Sequence, residues 1–343
     1  EYILHYNHVT LYIKGIKYLR KIYLTILMTK KRKELIITSP SRLHLGFYGF
    51  DDIYGYKYGS MGLAINSNKT VISVKHSKKL ISDLPDKYMS PILKFLDSMN
   101  IQSHFEIKTI SRPLSHVGLG SGSQLSLCLG TALCKFLNIK MSIDEIAQIY
   151  NRGKRSGTGI SIFKNGGFIV DACKKEKLLP EAMFSSKFPK DWRVIILNDL
   201  NLKGTSGLIE KKFFEKNNRA SHKKSELSSI LLRGIIPSIV YKDFQNFSKN
   251  LTKFQSITAG FYSDKQNGMY LSPEISNIMK YIKNYDNIGM GQSSWGPMSY
   301  IFVESNLHAK ELLSIIQNKF NVYNNVQLNI VSPWNSGFKI VHK

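Results

Sequence analysis

The chain has 343 residues, of which 43% are hydrophobic and 11% aromatic, and its formal net charge is +24. This apolar content excludes a largely disordered chain, because disordered chains lack the apolar surface that offsets the conformational entropy lost on folding. The length exceeds what one hydrophobic core usually supports, so two lobes are expected. The cysteines Cys128, Cys134 and Cys173 form no C-x-x-C pair, which argues against a disulfide framework or a zinc site and predicts a reducing, cytoplasmic location.

The basic excess suits a polyanionic partner, which can be a nucleic acid, an anionic membrane or a phosphorylated metabolite. Charge alone does not choose among these classes. The sequence has no zinc-finger spacing, basic zipper or RNA-binding aromatic motif. We therefore expect no nucleic-acid partner, and a basic nucleic-acid-binding protein is kept as the third functional alternative.

The N-terminal segment mixes apolar and basic side chains. Lys14, Lys17, Arg20 and Lys21 interrupt any apolar run long enough to cross a bilayer. Neither a transmembrane helix nor a signal peptide is expected, and a basic helix lying on a membrane surface is the alternative. Because Met28 has the context of a natural start, residues 1–33 are assigned to an N-terminal extension that is a candidate for disorder.

From residue 34 the pattern mixes strands and helices. Apolar runs and alternation predict strands at residues 35–38, 71–74 and 104–108, a strand or turn at residues 40–46, and a short helix at residues 92–99. This mixture predicts an α+β protein with a first domain over residues 34–190.

A glycine-rich turn precedes the strongest helical pattern, whose apolar face runs from Leu125 to Phe136. Glycine lets a backbone approach a phosphate closely, and the N–H groups and dipole of a helix start favour negative charge. The predicted phosphate-binding residues are Gly118, Leu119, Gly120, Ser121, Gly122, Ser123 and Gln124. The hydroxyl of Ser123 is also the candidate ligand of a phosphate-bound Mg²⁺.

The rest of the chain continues the mixed pattern. Ser142 and Glu145 have the spacing of a capping box, which predicts a helix at residues 142–150. The remaining predicted strands are residues 168–170, 192–197, 300–303 and 326–331, and the remaining predicted helices are residues 208–214, 227–254 and 309–320. A second domain is assigned to residues 191–343.

Two polar clusters are the further candidates for binding. Residues 152–159 offer Arg152, Lys154 and Arg155 to phosphate groups. Residues 289–297 offer amide, hydroxyl and ring contacts to a planar ligand, through Gln292, Ser293, Ser294 and Trp295. A structural explanation fits each cluster as well as ligand binding does. Residues 152–159 can be a basic turn, and residues 289–297 can be a Gly-Pro corner.

Three isolated residues are candidates for acid or base work. His44 and His116 belong to no metal-ligand spacing, so a structural hydrogen bond is the alternative for each. Asp171, at the end of a predicted strand, suits either a ligand contact or a turn cap.

Together these motifs resemble the GHMP kinase superfamily and, within it, the β-ribofuranosylaminobenzene 5′-phosphate synthases of methanopterin biosynthesis. The resemblance runs from about residue 35 to the C-terminus and is carried by residues 40–46, 59–65, 116–124, 152–159 with 166–171, and 291–297. It implies a two-lobed α+β fold, with a ribosomal-protein-S5-like N-terminal lobe and a ferredoxin-like C-terminal lobe.

The resemblance implies condensation of 5-phosphoribosyl 1-diphosphate with 4-aminobenzoate or 4-hydroxybenzoate, with release of diphosphate and CO₂ and a requirement for Mg²⁺. The catalytic candidates are Arg42, His44, Arg155 and Asp171. The turn at residues 118–124, with Arg152 and Lys154, would bind phosphate, and residues 292–295 would shape the aromatic-acid pocket. The resemblance also implies a cytoplasmic homodimer that acts on small molecules, without a membrane partner.

An ATP-dependent small-molecule kinase is the first alternative. Many kinases of the superfamily have a Ser-Gly-Ile-Asp block whose aspartate activates the substrate hydroxyl. The matching block here is Ser-Gly-Thr-Gly, at residues 156–159. Gly159 therefore stands where the acid would be, which favours the synthase, although Asp171 is nearby in the sequence.

Overall fold

The computed structural model describes residues 2–6, 9–13, 34–49, 54–102, 104–204, 222–266, 268–321 and 324–343. Near the N-terminus, β1 (Tyr2–Tyr6) and β2 (Val9–Ile13) form an antiparallel pair, so these two segments are β strands. The rest of the N-terminal extension, and the predicted helix at residues 208–214, lie outside the described residues. Among the residues that the structure describes, no helix is both long and apolar enough to span a bilayer.

The larger sheet has the strand order β13-β3-β4-β6-β5, and β7 pairs with β4 while β8 pairs with β7. Its strands are β3 (Glu34–Phe47), β4 (Ser60–His76), β5 (Ile81–Ser82), β6 (Phe105–Ser111), β7 (Phe168–Asp171), β8 (Ala182–Ser186) and β13 (Lys339–His342). The two segments predicted at residues 35–38 and 40–46 are one long strand, in which Pro40 lies at a register shift between Ser39 and Ser41. A bulge accommodates a proline because the ladder hydrogen bond is already broken there.

Helices of the first lobe cover one face of this sheet. They are α1 (Asp86–Ser98), α2 (Ser121–Phe136), α3 (Ile143–Ile149) and α4 (Thr158–Asn165). The helix predicted after the glycine-rich turn is confirmed as α2, and it is buried on almost every side because the sheet and the neighbouring helices enclose it. Ser142 caps α3, and its capping box with Glu145 is confirmed.

The smaller sheet has the order β10-β11-β9-β12. Its strands are β9 (Arg193–Asp199), β10 (Ile288–Gln292), β11 (Ser299–Val303) and β12 (Val326–Val331), and α8 (Pro273–Ile282) and α9 (Asn306–Lys319) cover one face. This order is ferredoxin-like, as expected. The sequence missed β10, because Gly289 and Gly291 lack the side chains that would reveal a buried strand.

The other face of the smaller sheet packs against a helical layer. This layer comprises α5 (His222–Ile230), a π-helical turn at Leu231–Ile235, α6 (Ile236–Val240) and α7 (Phe244–Gln266). A single helix was predicted over residues 227–254, but the chain interrupts it after Val240, where Lys242 takes a left-handed φ of 57°. The prediction of one helix was wrong because apolar periodicity continues across the break.

One hydrophobic core joins the two lobes. Leu43 and Leu45 of β3 belong to the same buried cluster as Trp192, Phe247 and Phe302 of the second lobe. The last strand, β13, also returns to the first lobe, where it pairs antiparallel with β3. Residues of both sequence-assigned domains therefore build the larger sheet, and the lobes share apolar packing that holds their relative position.

Replacement of Phe247 with alanine should destabilise the protein through this shared core. The ring is fully buried, and its centroid lies 5.0 Å from that of Trp192 and 5.3 Å from that of Phe302. Loss of the ring leaves a cavity, so the free energy of unfolding should fall by about 3–5 kcal/mol in urea denaturation. Tyr241→Ala is the control, since that side chain is 81% exposed and its loss should change the stability by less than about 0.5 kcal/mol.

Candidate functional site

The turn before α2 has an unusual backbone. His116, Gly118 and Gly120 have φ angles of 64°, 96° and 68°, in the left-handed region. A β-carbon at Gly118 would lie 2.6 Å from the carbonyl oxygen of Ser293. Only glycine fits there, because any side chain would meet both a backbone clash and an unfavourable φ. The turn is thus shaped by the second lobe, which approaches it from outside.

The start of α2 presents backbone donors. Gly120 is its N-cap, and the N–H groups of Ser123 and Gln124 both donate to the Gly120 carbonyl at 3.1 Å. The N–H groups of Ser121 and Gly122 begin the helix, where no carbonyl of a preceding turn can accept them. With the positive end of the helix dipole, they form an arrangement that can accept an anion such as phosphate.

Arg42 lies against this turn from β3. Its backbone N–H donates to the Leu119 carbonyl at 3.1 Å, and its guanidinium Nη1 donates to the Thr158 hydroxyl at 3.4 Å. A β-carbon at Gly120 would lie 3.0 Å from Arg42 Nε. The guanidinium therefore flanks the start of α2, where it would pair with a bound phosphate.

Arg152 flanks the helix start at Gly122. Its Nη2 and Nε donate to the Ser126 hydroxyl at 2.8 and 3.2 Å. A β-carbon at Gly122 would lie 3.6 Å from Arg152 Nη1 and 3.7 Å from the hydroxyl of Tyr88. Burial lowers the pKa of Arg152, so a bound anion would stabilise its charged form. The sequence does not single out Tyr88 or Ser126 as site residues. No local pattern marks them, because only folding brings α1 and the second turn of α2 beside Arg152.

Other residues predicted to bind phosphate divide between exposed and buried positions. Lys154 is exposed and Arg155 half-buried on the loop between α3 and α4. Ser123 lies beside α4, since a β-carbon at Gly159 would be 3.5 Å from Ser123 Cβ. The amide of Gln124 is buried, accepts a hydrogen bond from Ser39 and donates one to the Gly159 carbonyl at 2.8 Å. Gln124 thus ties α2 to β3 and α4 through its side chain.

The donor set at the turn bears on the expected Mg²⁺. Within the described part of the chain, no three His, Cys, Asp or Glu side chains are grouped so that they could hold a metal ion. Ser123 contributes a hydroxyl in the first turn of α2. Such a site fits a Mg²⁺ that arrives bound to substrate phosphates and keeps several of its waters. It does not fit a metal held by the protein alone.

His44 connects β3 to the glycine-rich turn. Its backbone N–H donates to the Ser293 hydroxyl at 2.9 Å, and that hydroxyl donates to the Gly118 carbonyl at 2.6 Å. The ring Nδ1 accepts the backbone N–H of Gly46 at 3.2 Å, which places the ring proton on Nε2. Burial, assisted by the charge of Arg42, holds the pKa of His44 well below its ordinary value. His44 is therefore a neutral N–H donor.

The segment predicted to form the aromatic-acid pocket packs behind the turn. The amide of Gln292 accepts from the Leu271 N–H at 2.7 Å and donates to the Ser294 carbonyl at 3.2 Å. Trp295 is buried in the shared core, and Ser294 is partly exposed. A cavity of about 20 Å³, lined in part by His44, Gln292 and Ser294, lies beside this segment. It has room for about one water or one polar substituent.

Asp171 is buried where β7 ends. Its carboxylate accepts the backbone N–H groups of Ser60, Gly157 and Thr158 at 2.5, 2.6 and 3.2 Å, and the Ser60 hydroxyl at 2.8 Å. Burial raises the pKa of Asp171 to about 6, although these hydrogen bonds oppose the shift. The carboxylate therefore caps the start of α4. Of the two roles that the sequence allows for Asp171, a turn cap and a ligand contact, these hydrogen bonds show the cap.

Two family models match the chain. The GHMP kinases N terminal domain matches residues 87–167, and the GHMP kinases C terminal domain matches residues 235–322. The first match contains the glycine-rich turn and the cluster at residues 152–159. The second contains α7, α8, β10, β11 and α9, which form most of the second lobe.

Curated relatives and solved structures agree with these matches. The chain is 29% identical over 293 residues to the beta-ribofuranosylphenol 5'-phosphate synthase of Methanothermobacter thermautotrophicus, covering 78% of this chain and 88% of that protein. It is 28% identical over 340 residues to the protein of the same name from Methanocaldococcus jannaschii, covering 89% and 100%. Mevalonate diphosphate decarboxylase from Staphylococcus aureus has a TM-score of 0.64 at 14% identity, over 90% of this chain and 98% of that one. This last likeness shows the fold.

Alanine at Gly118 should disrupt the turn. The new β-carbon meets the Ser293 carbonyl, and the φ of 96° is strained for alanine, so the protein should lose about 1–3 kcal/mol of unfolding free energy. Titration calorimetry should also show weaker binding of inorganic pyrophosphate. Gly260→Ala is the control, because its β-carbon would enter open space in a helix and should be stabilising by about 0.5–1 kcal/mol. Unchanged pyrophosphate affinity in Gly118→Ala would contradict this account of the turn.

His44 should remain neutral as the pH falls through its ordinary range. In NMR spectra of histidine-labelled protein, the signal that His44→Gln removes should not titrate between pH 7.5 and 6. The unfolded chain takes up this proton near pH 6.5, whereas the folded chain does not, so acidification below that pH should favour unfolding. A His44 titration near 6.5 would show that the imidazole is hydrated and free to accept a proton.

Proposed function

This chain belongs to the GHMP kinase superfamily, and we propose that it condenses 5-phosphoribosyl 1-diphosphate with 4-hydroxybenzoate or 4-aminobenzoate in methanopterin biosynthesis. The products would be a C-riboside 5′-phosphate, diphosphate and CO₂. The observation that carries this proposal is the pair of guanidinium groups, Arg42 beside Gly120 and Arg152 beside Gly122, at one helix start. The name shared by the relatives from Methanothermobacter thermautotrophicus and Methanocaldococcus jannaschii, which denotes a ribofuranosylphenol 5'-phosphate, supports it.

The substrate's charge suits this arrangement. It carries a monophosphate at one end of the ribose and a diphosphate at the other, so it needs more than one cationic contact. Arg42 and Arg152 supply two, and the N–H groups of Ser121 and Gly122 lie between them on the helix start. Lys154 and Arg155 extend the positive charge along the adjoining loop.

The reaction places a definite electrostatic demand on these groups. The bond from ribose C1 to the diphosphate breaks, and the diphosphate takes the electron pair while C1 becomes cationic. The ring carbon that bears the carboxylate bonds to C1, and loss of CO₂ returns its electron pair to the aromatic ring. Fixed N–H donors and guanidinium groups at the diphosphate stabilise the charge that develops there. Mg²⁺ bound to the diphosphate would supply further neutralisation, with Ser123 as its contact on the chain.

The aromatic acid would place its polar substituent in the small cavity where His44 meets residues 292–295. Gln292, Ser293, Ser294 and Trp295 would shape this pocket, largely through their backbone and packing. His44 would donate its Nε2 proton in a hydrogen bond rather than act as a base, since its Nδ1 is already occupied by the Gly46 N–H. Arg155 is assigned to charge neutralisation at the diphosphate.

A kinase reaction fits the site less well. A β-carbon at Gly159 would lie 3.5 Å from Ser123 Cβ, so an acid at this position would adjoin the phosphate turn. Glycine supplies no such acid. The carboxylate of Asp171 is engaged in capping α4. The proposal also includes a cytoplasmic homodimer, as the resemblance implies, and no nucleic-acid partner.

The purified chain should form pyrophosphate and CO₂ in equal amounts from Mg²⁺, phosphoribosyl diphosphate and one of the two acids. Each acid is tested separately with carboxyl-labelled material, in parallel with ATP and candidate alcohols. Ser123→Ala and Arg155→Ala should each lower kcat/KM about 10- to 100-fold, as expected for lost contacts to a charged group. The exposed Lys94→Ala is the control for surface charge.

Two results would overturn the proposal. One is ADP formation without pyrophosphate, which would establish the kinase. The other is wild-type turnover and affinity in both Ser123→Ala and Arg155→Ala, which would remove the phosphate site from the turn.

A further inference from the structure

We propose that Asp171 is a positioning residue, which holds Arg42 at the phosphate turn through the hydroxyl groups of Ser60, Ser156 and Thr158. The proposal rests on the proposed function in one respect, that Arg42 contacts a phosphate of the substrate. It assigns to this buried acid a role that needs no contact with substrate.

The chain of contacts is continuous. The Asp171 carboxylate lies 2.8 Å from the Ser60 hydroxyl, which lies 2.7 Å from the Ser156 hydroxyl. The Ser156 hydroxyl lies 2.7 Å from that of Thr158, which accepts Arg42 Nη1 at 3.4 Å. An anion and a cation are thus linked through polar atoms alone.

The chemistry of the two ends sets the direction of the hydrogen bond that Thr158 makes. An ionised carboxylate only accepts and a guanidinium only donates, while each hydroxyl has one proton to give. Ser60 donates its one proton to Asp171. Ser156 gives its proton either to Ser60 or directly to the Asp171 carboxylate, since it is within hydrogen-bond reach of both. In either case the Ser156 proton is used, so Thr158 donates to Ser156. The lone pairs of Thr158 are left facing Arg42. Hydrogen bonds aligned in one direction polarise and strengthen one another, so the charge of Asp171 reinforces the contact at Arg42.

The members of the chain are held by separate elements. Asp171 ends β7, Ser60 begins β4 and Thr158 begins α4, and these three residues are fully buried. The backbone N–H of Thr158 also donates to the Ser156 hydroxyl at 3.3 Å. The chain is therefore rigid, and it ends on the half-buried side chain of Arg42.

A fixed Arg42 has a clear advantage for binding. A free arginine side chain loses rotamer entropy when it binds a ligand, whereas a side chain already held in place loses less. The guanidinium lies so close to Gly120 that a β-carbon there would be 3.0 Å from Nε. The chain of hydroxyl groups thus holds the Arg42 guanidinium beside Gly120, and an anion bound at the turn would contact it there.

The test compares Thr158→Val, which removes the hydroxyl but keeps the shape, with Thr158→Ser, which keeps the hydroxyl. Titration calorimetry with phosphoribosyl diphosphate and with inorganic pyrophosphate measures binding without turnover. Thr158→Val should weaken both ligands about tenfold, as expected for one lost hydrogen bond to a charged group. Thr158→Ser should bind as the wild type does, and the KM for the aromatic acid should stay unchanged in both.

A double-mutant cycle shows whether the effect passes through Arg42. In an Arg42→Ala background, Thr158→Val should cause no further loss of affinity, because the group that it positions is gone. Equal losses in both backgrounds, or failure of Thr158→Ser to restore binding, would overturn the proposal. Thermal melts of each variant check the fold. Because Asp171 also caps α4, Asp171→Asn is not the primary variant.

The two proposals fail in different ways. If the cycle behaves as expected but neither aromatic acid yields CO₂ and pyrophosphate, the proposed reaction is wrong and the positioning role stands. If turnover occurs but the cycle is additive, the reaction stands and Asp171 does not act through Arg42.

Discussion

The close approach of the second lobe to the glycine-rich turn is the constraint on which the site depends. The hydroxyl of Ser293 accepts the backbone N–H of His44 and donates to the carbonyl of Gly118, so one side chain joins β3, the turn and the second lobe. A β-carbon at Gly118 or Gly296 would strike backbone on the other side of this junction. Residues of both lobes therefore determine the conformation of this turn. The apolar core that the lobes share holds the two lobes in a fixed relative position.

Charge at the site is arranged around that turn. Arg152 is partly buried and hydrogen-bonds to the hydroxyl of Ser126, a neutral partner that leaves its charge available for an anion. Arg42 is held by Thr158 at the end of a chain of hydroxyls. Burial of a charge without full neutralisation destabilises the folded protein. Binding of an anion offsets this destabilisation. This pattern accords with an anionic ligand more directly than does the net charge of +24, since most of the lysines that the structure describes are exposed.

Local signals predicted the elements that depend on local physics. The helix α2 after the glycine-rich turn and the capping box of α3 follow from periodicity and from side chains a few residues apart. Some predictions disagree with the structure. They concern segments where the tertiary structure overrides the local sequence pattern. Gly289 and Gly291 break the apolar pattern that would indicate the strand β10. Apolar residues continue on both sides of Lys242, so the pattern does not indicate that α6 ends before it. The short strand β13 was missed because its pairing partner lies about three hundred residues earlier in the chain.

The sequence by itself determined the glycine-rich turn before α2, the alternation of strands and helices, and the family, because these are carried by residues close together in the chain. Only the tertiary structure brought Arg42, Tyr88 and Arg152 to one helix start, since they come from β3, α1 and a loop and no spacing rule links them. It also showed that the carboxylate of Asp171 caps α4. The physical reason is that hydrogen bonding and burial depend on distances in space, which a sequence pattern specifies only within one or two turns of a helix or along one strand.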